Sequence, residues 1–333
     1  MTKHLAEMLS QAKWAVAEAT KRGASGARVH ASRTSTSTVE WRDGKLDRIR
    51  DSAALSLNVT LFVDGRYSSS TTSDLRKRAV EKFLDDAIAM TRAIAPDPDR
   101  VLPEPGRYAG RFTGDLKVYE DATAALNADW LRRTAAELEA GARTGSDKIV
   151  SVSTTAETDV SDRAMVASNG MEGTQTGTSV TLVAETSVRD AGGRKPEGWW
   201  YAASRSIGAL PPVAQIGKMA TERAIARVGE SRRPTGKYPC VIEAMAAGRL
   251  VDALLAGLDG QSIQQRKSFL ADRIGQRVGS RVLSVTDDPH LVAWLGSSTF
   301  DSEGMATRAR PLFDKGVVKN LCLDTYYARK LGK

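Results

Sequence analysis

The sequence predicts an α+β protein: a helix, antiparallel strands and a second helix, followed by a strand-rich middle region and a mixed C-terminal domain. Three observations carry this expectation. Apolar residues recur at helical spacing in two segments near the N-terminus. The stretch between them is rich in Thr, Val and alternating Leu and is broken by two Asp-Gly pairs, a strong hairpin signal. Four prolines then arrive within about ten residues, which fixes φ and removes donors and so marks a linker.

Leu5, Met8, Leu9, Ala12, Ala15, Val16 and Ala19 form one helical stripe, and Gly23 and Gly26 end it, so a helix is expected over about residues 4–22. From Ala27 to about Thr72 strands are expected, with turns at Asp43-Gly44 and Asp64-Gly65; Ser56 to Leu61 alternates as a half-buried strand does. A second helix is expected from a Ser73-Asp74 cap, with Leu75, Val80, Phe83, Leu84, Ala87, Ile88 and Thr91 inward. Pro96, Pro98, Pro103 and Pro105 mark the linker. Beyond it, residues 122–143 predict one helix, and strands are expected at Ile149–Ser153, Ala164–Ala167, Thr178–Ser187 and Trp199–Tyr201. Ser168-Asn169-Gly170 suggests a type I′ turn. A helix over about 212–228 leads to Arg232-Arg233-Pro234-Thr235-Gly236, a second boundary. At 333 residues one core no longer keeps growing, so three domains are expected: 1–107, 108–233 and 234–333.

Composition narrows function mainly by exclusion. The hydrophobic 41% and charged 26% are those of an ordinary globular protein, and no apolar run is long enough to span a bilayer. Met1-Thr2-Lys3-His4 leads straight into the amphipathic pattern, without the apolar run of a secretion signal, so a cytoplasmic protein is expected. Cys240 and Cys322 lie far apart and read as small buried hydrophobes rather than a zinc knuckle or a disulfide. The net charge of +8 raises nucleic acid as a partner, but Lys and Arg alternate with acids, as in Glu40 to Arg48, which reads as a solvated mixed-charge surface.

No HExxH, GxSxG, phosphate-binding loop or dinucleotide fingerprint occurs, and His4, His30 and His290 stand isolated, which reads as surface or structural use. Asp287-Asp288-Pro289 pairs two carboxylates but has no glycine-turned calcium loop, so a cap or turn is expected. Trp199-Trp200-Tyr201 reads as a strand anchoring the core, with base stacking or a peptide groove as the alternative.

Several segments together resemble the TldD/PmbA family, formerly labelled modulators of DNA gyrase. They are Val39-Glu40-Trp41-Arg42-Asp43-Gly44-Lys45-Leu46, Leu61 to Tyr67 with Thr72-Ser73-Asp74-Leu75, Glu197-Gly198-Trp199-Trp200, Asp287-Asp288-Pro289, and Phe300-Asp301-Ser302-Glu303-Gly304. The runs Arg310 to Val317 and Asp324 to Gly332 are the most specific. The resemblance implies a peptidase built from two subunit types. In TldD-type chains a helix bearing His-Glu-x-x-x-His binds zinc. Aligned on Gly257-Leu258-Asp259-Gly260, this chain places Val251, Asp252 and Ala256 at those positions. Val251 and Ala256 have no donor atom, and Asp252 keeps a carboxylate without flanking ligands.

The resemblance therefore implies a PmbA/TldE-type, non-catalytic subunit that binds no metal itself, with zinc in a TldD-type partner and unfolded or small peptides as substrates. Ala247, Leu250, Val251, Leu254, Leu255 and Leu258 meanwhile predict a helix packed on a core. Family chains usually continue past the Tyr-Tyr-Ala-Arg-Lys-Leu-Gly run, so the last domain is expected to lack strand partners. Two other functions are compatible with the sequence: a nucleic-acid- or gyrase-interacting regulator, and a homomeric peptide-binding module without peptidase activity.

Overall fold

The computed structural model describes residues 3–333. Helix α1 (Lys3–Lys21) ends at Gly23, whose φ of 97° only glycine adopts readily. Strands β1 (Gly26–Arg42), β2 (Lys45–Val63) and β3 (Arg66–Thr72) follow as a meander. Both expected turns form: Asp43 and Gly44 have φ of 47° and 79°, and Asp64 and Gly65 have 51° and 72°, the positive pair that a type I′ turn requires. Helix α2 (Lys77–Ala93) starts later than the Ser73-Asp74 cap predicts. The Asp74 carboxylate accepts from the backbone N–H of Arg76 and pairs with its guanidinium, which holds these residues as a turn.

The single helix expected over 122–143 is two: α3 (Asp121–Ala124) and α4 (Ala128–Arg143). Asn127 interrupts them, because its side chain accepts from Trp130 N at 3.0 Å and so caps a new helix. The two short strands expected at 149–153 and 164–167 are the ends of one long strand, β4 (Ile149–Ala167). Its middle is Thr- and acid-rich and shows no apolar alternation. It continues to β5 (Glu172–Val188) through a loop in which only Gly170 has positive φ (98°), so the turn is not type I′. β6 (Glu197–Ser204) and α5 (Val213–Ile225) complete this part.

All six strands form one antiparallel sheet in the order β3-β2-β1-β4-β5-β6. The stretch with four prolines separates β3 from β4 in sequence, yet β1 pairs with β4 from Arg28↔Ala167 to Arg42↔Ser153, so the sheet is continuous across it. Helices cover one face only. Val29, Ala31, Leu57, Val59 and Leu61 pack against α1 and α2, and Val39, Ala156, Val180 and Leu182 pack against α4 and α5. Register places all of these on the same side. At the α4–α5 contact the backbones nearly touch: a Cβ on Gly217 would lie 2.0 Å from Leu138 O, and one on Gly141 would lie 2.2 Å from Ala214 O.

The C-terminal part holds α6 (Ala244–Ala256), α7 (Gly260–Gln264), a small sheet of β7 (Val285–Asp287), β8 (Arg310–Asp314) and β9 (Val317–Val318), and α8 (Thr325–Lys330). Its core is Leu258, Leu270, Leu312, Phe313 and Val318. The expectation that the stripe from Ala247 to Leu258 packs along a core holds only at its end: Leu258 is in the cluster and Leu254 and Leu255 reach it, but no residue of α6 itself is buried and Leu250 is 55% exposed. Cys240 is exposed rather than buried, while Cys322 is half-buried against the cluster, where burial pushes its thiol up. Among the described residues no helix is long and apolar enough to cross a membrane.

Candidate functional site: the bare sheet face and the segment that crosses it

The face of the sheet without helices is lined by alternate residues whose polarity the pleat makes inevitable. β1 contributes His30, Ser32, Thr34, Thr36 and Thr38, and register sets them beside Arg163, Ser161, Asp159 and Glu157 of β4. The hydroxyls of Thr36 and Ser179 donate to Asp159 at 2.5 and 3.3 Å, and Thr38 donates to Glu157 at 2.9 Å. Trp199 and Tyr201 of the edge strand β6 belong to this face too; their rings stack at 5.9 Å and both stand about half exposed. The expected core anchor is therefore only the middle residue: Trp200 points the other way, into the α4–α5 core, where the Arg223 guanidinium lies 4.9 Å from its ring.

Part of this face is crossed by residues 289–307 of the C-terminal part. Gln175 Nε2 donates to Ser297 O at 3.0 Å, and Ser298 Oγ donates to Gln175 Oε1 at 3.0 Å. Arg205 donates to Trp294 O and Leu295 O. Arg111 donates to Glu172 O at 2.6 Å and to Gly304 O at 3.2 Å, and it lies 5.0 Å over the Phe300 ring. Burial lowers the pKa of both guanidiniums. Met165, Met171 and Phe300 form a small apolar seam beneath the crossing.

Two cavities flank the crossing segment. One of about 490 Å³ is lined by Arg107, Asp287, Asp301, Met305 to Arg308 and Arg310, so the Gly304–Arg310 stretch forms one of its walls. Asp287 faces Arg310 across the β7–β8 ladder at 3.2 Å, while Asp288 accepts from His290 N, the turn role its sequence suggests. Thr307 gives its only proton to Ser298 O at 2.6 Å, so His290 Nε2, 3.0 Å from Thr307 Oγ1, must be the donor. His290 also stacks on Phe112 at 4.4 Å, a structural use of the ring. The second cavity, about 370 Å³, is lined by His30, Arg163, Met165, Phe300 and the 295–302 loop.

Val251, Asp252 and Ala256 lie together on α6, away from the buried core, with Asp252 and Ala256 exposed. Two hydrocarbon side chains and one carboxylate do not fit a divalent metal, and among the described residues no three His, Cys, Asp or Glu side chains gather as a ligand set. The arginines that tie the crossing segment down, Arg111 and Arg205, and Arg163 in the lining of the second cavity escaped sequence reasoning. The signal that could have located the bare face is the Ser32, Thr34, Thr36, Thr38 alternation.

Comparison with known proteins is consistent along the chain. Models of the PmbA/TldA metallopeptidase domain 1, central domain and C-terminal domain match residues 27–91, 118–228 and 235–333. The metalloprotease PmbA homolog of Haemophilus influenzae is 25% identical over 331 residues, covering 98% of this chain and 71% of that relative. Metalloprotease PmbA of Escherichia coli O157:H7 is 24% identical over 308 residues, covering 92% of this chain and 68% of its own length. A Bacteroides thetaiotaomicron structure, labelled a candidate modulator of DNA gyrase, matches at a TM-score of 0.92 and 35% identity, covering 97% of this chain and 73% of that one. TldE from Thermococcus kodakarensis shares the fold at a TM-score of 0.80 and 20% identity, over 97% and 72% of the two chains. With domain models matching in order along most of its length and relatives aligned along nearly all of this chain, it belongs to the PmbA/TldD metallopeptidase family.

Proposed function

We propose that this chain is the PmbA/TldE-type, non-catalytic subunit of a two-part cytoplasmic metallopeptidase, and that a TldD-type partner holds the zinc. The observation that carries this reading is α6: it offers Val251, Asp252 and Ala256 where a metal-binding helix needs donor side chains. Asp252 is exposed and, among the described residues, belongs to no cluster of three ligand side chains that could hold a metal and activate a water. What this chain contributes is enclosure. The strand-rich region from Ile149 to Arg205 borders the cavity of about 370 Å³ and the Gly304–Arg310 segment the one of about 490 Å³, both in the size range of small-ligand sites. Binding through main-chain hydrogen bonds makes few demands on side chains and suits unfolded or small peptides.

The test is to purify the chain with and without a TldD-type partner and to measure zinc and cleavage of an unstructured peptide. The complex is expected to hold about one zinc, to cleave, and to lose the zinc only when the partner's ligands are changed. Either chain alone should be much less active. Asp252→Ala in this chain should leave the complex largely active; loss of cleavage with assembly intact would overturn the assignment.

A further inference from the structure

We propose that the cavity under the 295–302 loop is an anion subsite that receives the C-terminal carboxylate of a peptide, with an apolar last side chain on its floor. The proposal deepens the peptide-handling role and rests on it. The cavity has a cationic wall. Arg163 is exposed and lines it, with one Nη engaged by Gln175 Oε1 at 3.1 Å. His30 stands beside it across the β1–β4 ladder. Arg28, two residues along the same face of β1, stands outside the lining; its buried Nη1 makes no hydrogen bond and is ion-paired with Glu303 at 3.7 Å.

The one carboxylate in the lining is already engaged. Asp301 Oδ1 accepts from Glu303 N and Met305 N at 2.9 Å each, a turn that draws it toward its own loop. The charged groups set around His30 are thus Arg28 on its own strand, Arg163 on β4 and Asp301 on the loop; from β2 it meets the neutral Asn58. Burial, then Arg163 and Arg28, hold the imidazole below its usual pKa of 6.5. A bound anion would reverse that sign, because a negative charge favours the imidazolium.

Shape and charge select the anion. Met165 and Phe300, 4% and 8% exposed, make an apolar floor suited to a side chain. A volume of about 370 Å³ lies in the range of small-ligand sites. One accessible guanidinium beside a neutral imidazole matches a monoanionic carboxylate, which a guanidinium grips in bidentate fashion. A phosphate dianion would call for more positive charge and would leave the apolar floor unused.

The chain has three histidines, so NMR titration of the imidazoles on the intact protein reads the site directly, with His30→Gln as the assignment control. The probes are acetyl-Ala-Ala-Leu as free acid, the same peptide as amide, and inorganic phosphate. The free acid is expected to raise the His30 midpoint by about one pH unit and to bind about tenfold tighter than the amide, a difference of one charge-assisted contact. Arg163→Gln, at an exposed position, should abolish the preference while circular dichroism stays unchanged. Equal binding of acid and amide, or a His30 shift with phosphate alone, would overturn the proposal. The arms separate from the peptidase reading: cleavage by the two-chain complex without this preference defeats only the subsite, and the preference without cleavage defeats only the peptidase assignment.

Discussion

Glu139, 4% exposed on α4, accepts from the Trp41 indole at 2.6 Å and from Gly44 N at 2.9 Å, and its other oxygen accepts from Arg143 at 2.7 Å. A buried carboxylate is tolerated only when donors surround it so. It clamps the β1–β2 turn onto the helix layer. Glu139→Ala should destabilise the protein by about 2 kcal/mol, because it removes the acceptor of the half-buried Trp41 indole and of the Gly44 N–H and the partner of the Arg143 guanidinium. Glu139→Gln, whose amide oxygen can still accept from both Trp41 and Gly44, should lose less; urea denaturation of the two variants checks the ranking. The residues around this clamp were only half legible. Trp41 and Asp43-Gly44 stand out in the sequence, whereas Glu139 looks like any helix acid, and the 95-residue separation from Gly44 hides the contact. The same holds for Arg111, whose contacts with Glu172 and Gly304 lie far away in sequence.

Elements defined by local chemistry were the legible ones. The Asp-Gly pairs fixed two hairpins because a positive-φ pair is a property of those residues alone. The full length of β4 was not legible, since Thr154 and Thr158 are buried on its inner face and blur the polar alternation that would mark a half-buried strand. Nor was the poor packing of α6, because an apolar stripe predicts a buried face without saying whether a neighbour covers it. At the α4–α5 contact two effects of opposite sign can be weighed. Gly217→Ala gains about 1 kcal/mol of helix propensity. Against this, its Cβ would lie 2.0 Å from Leu138 O and 2.7 Å from Ala142 N, both backbone atoms that cannot swing aside. The overpacking cost should win, giving a net loss of about 2 kcal/mol or more with a lowered melting temperature; a neutral or stabilised variant would mean that the helices can separate freely.

For the whole molecule, the fold class and the family resemblance were readable from the sequence. That α1, α2, α4 and α5 lie on one side of the six-stranded sheet was not, since alternation sets polarity without saying which layer covers it. The C-terminal part is bound to the sheet by contacts spread along it: Gln175 with Ser297 and Ser298, Arg205 with Trp294 and Leu295, and Arg111 with Gly304. Farther away, the Arg100 guanidinium lies between the rings of Tyr67 and Tyr326, at 4.6 and 3.4 Å, and Tyr326 donates to Asp97 at 2.8 Å. The covalent link between the two parts is by contrast the barest stretch of the protein: residues 229–243 are all exposed, and from 230 to 243 there is no helix or strand. Trypsin should therefore cut there first, after Arg232 or Lys237 but not before Pro234. The products should separate on a denaturing gel yet elute together from a sizing column, parting only in urea. A C-terminal fragment that elutes alone would show those contacts to be too weak. If the pair holds, peptide-bond continuity through this link is dispensable, and the protein can be made as two polypeptides that find each other.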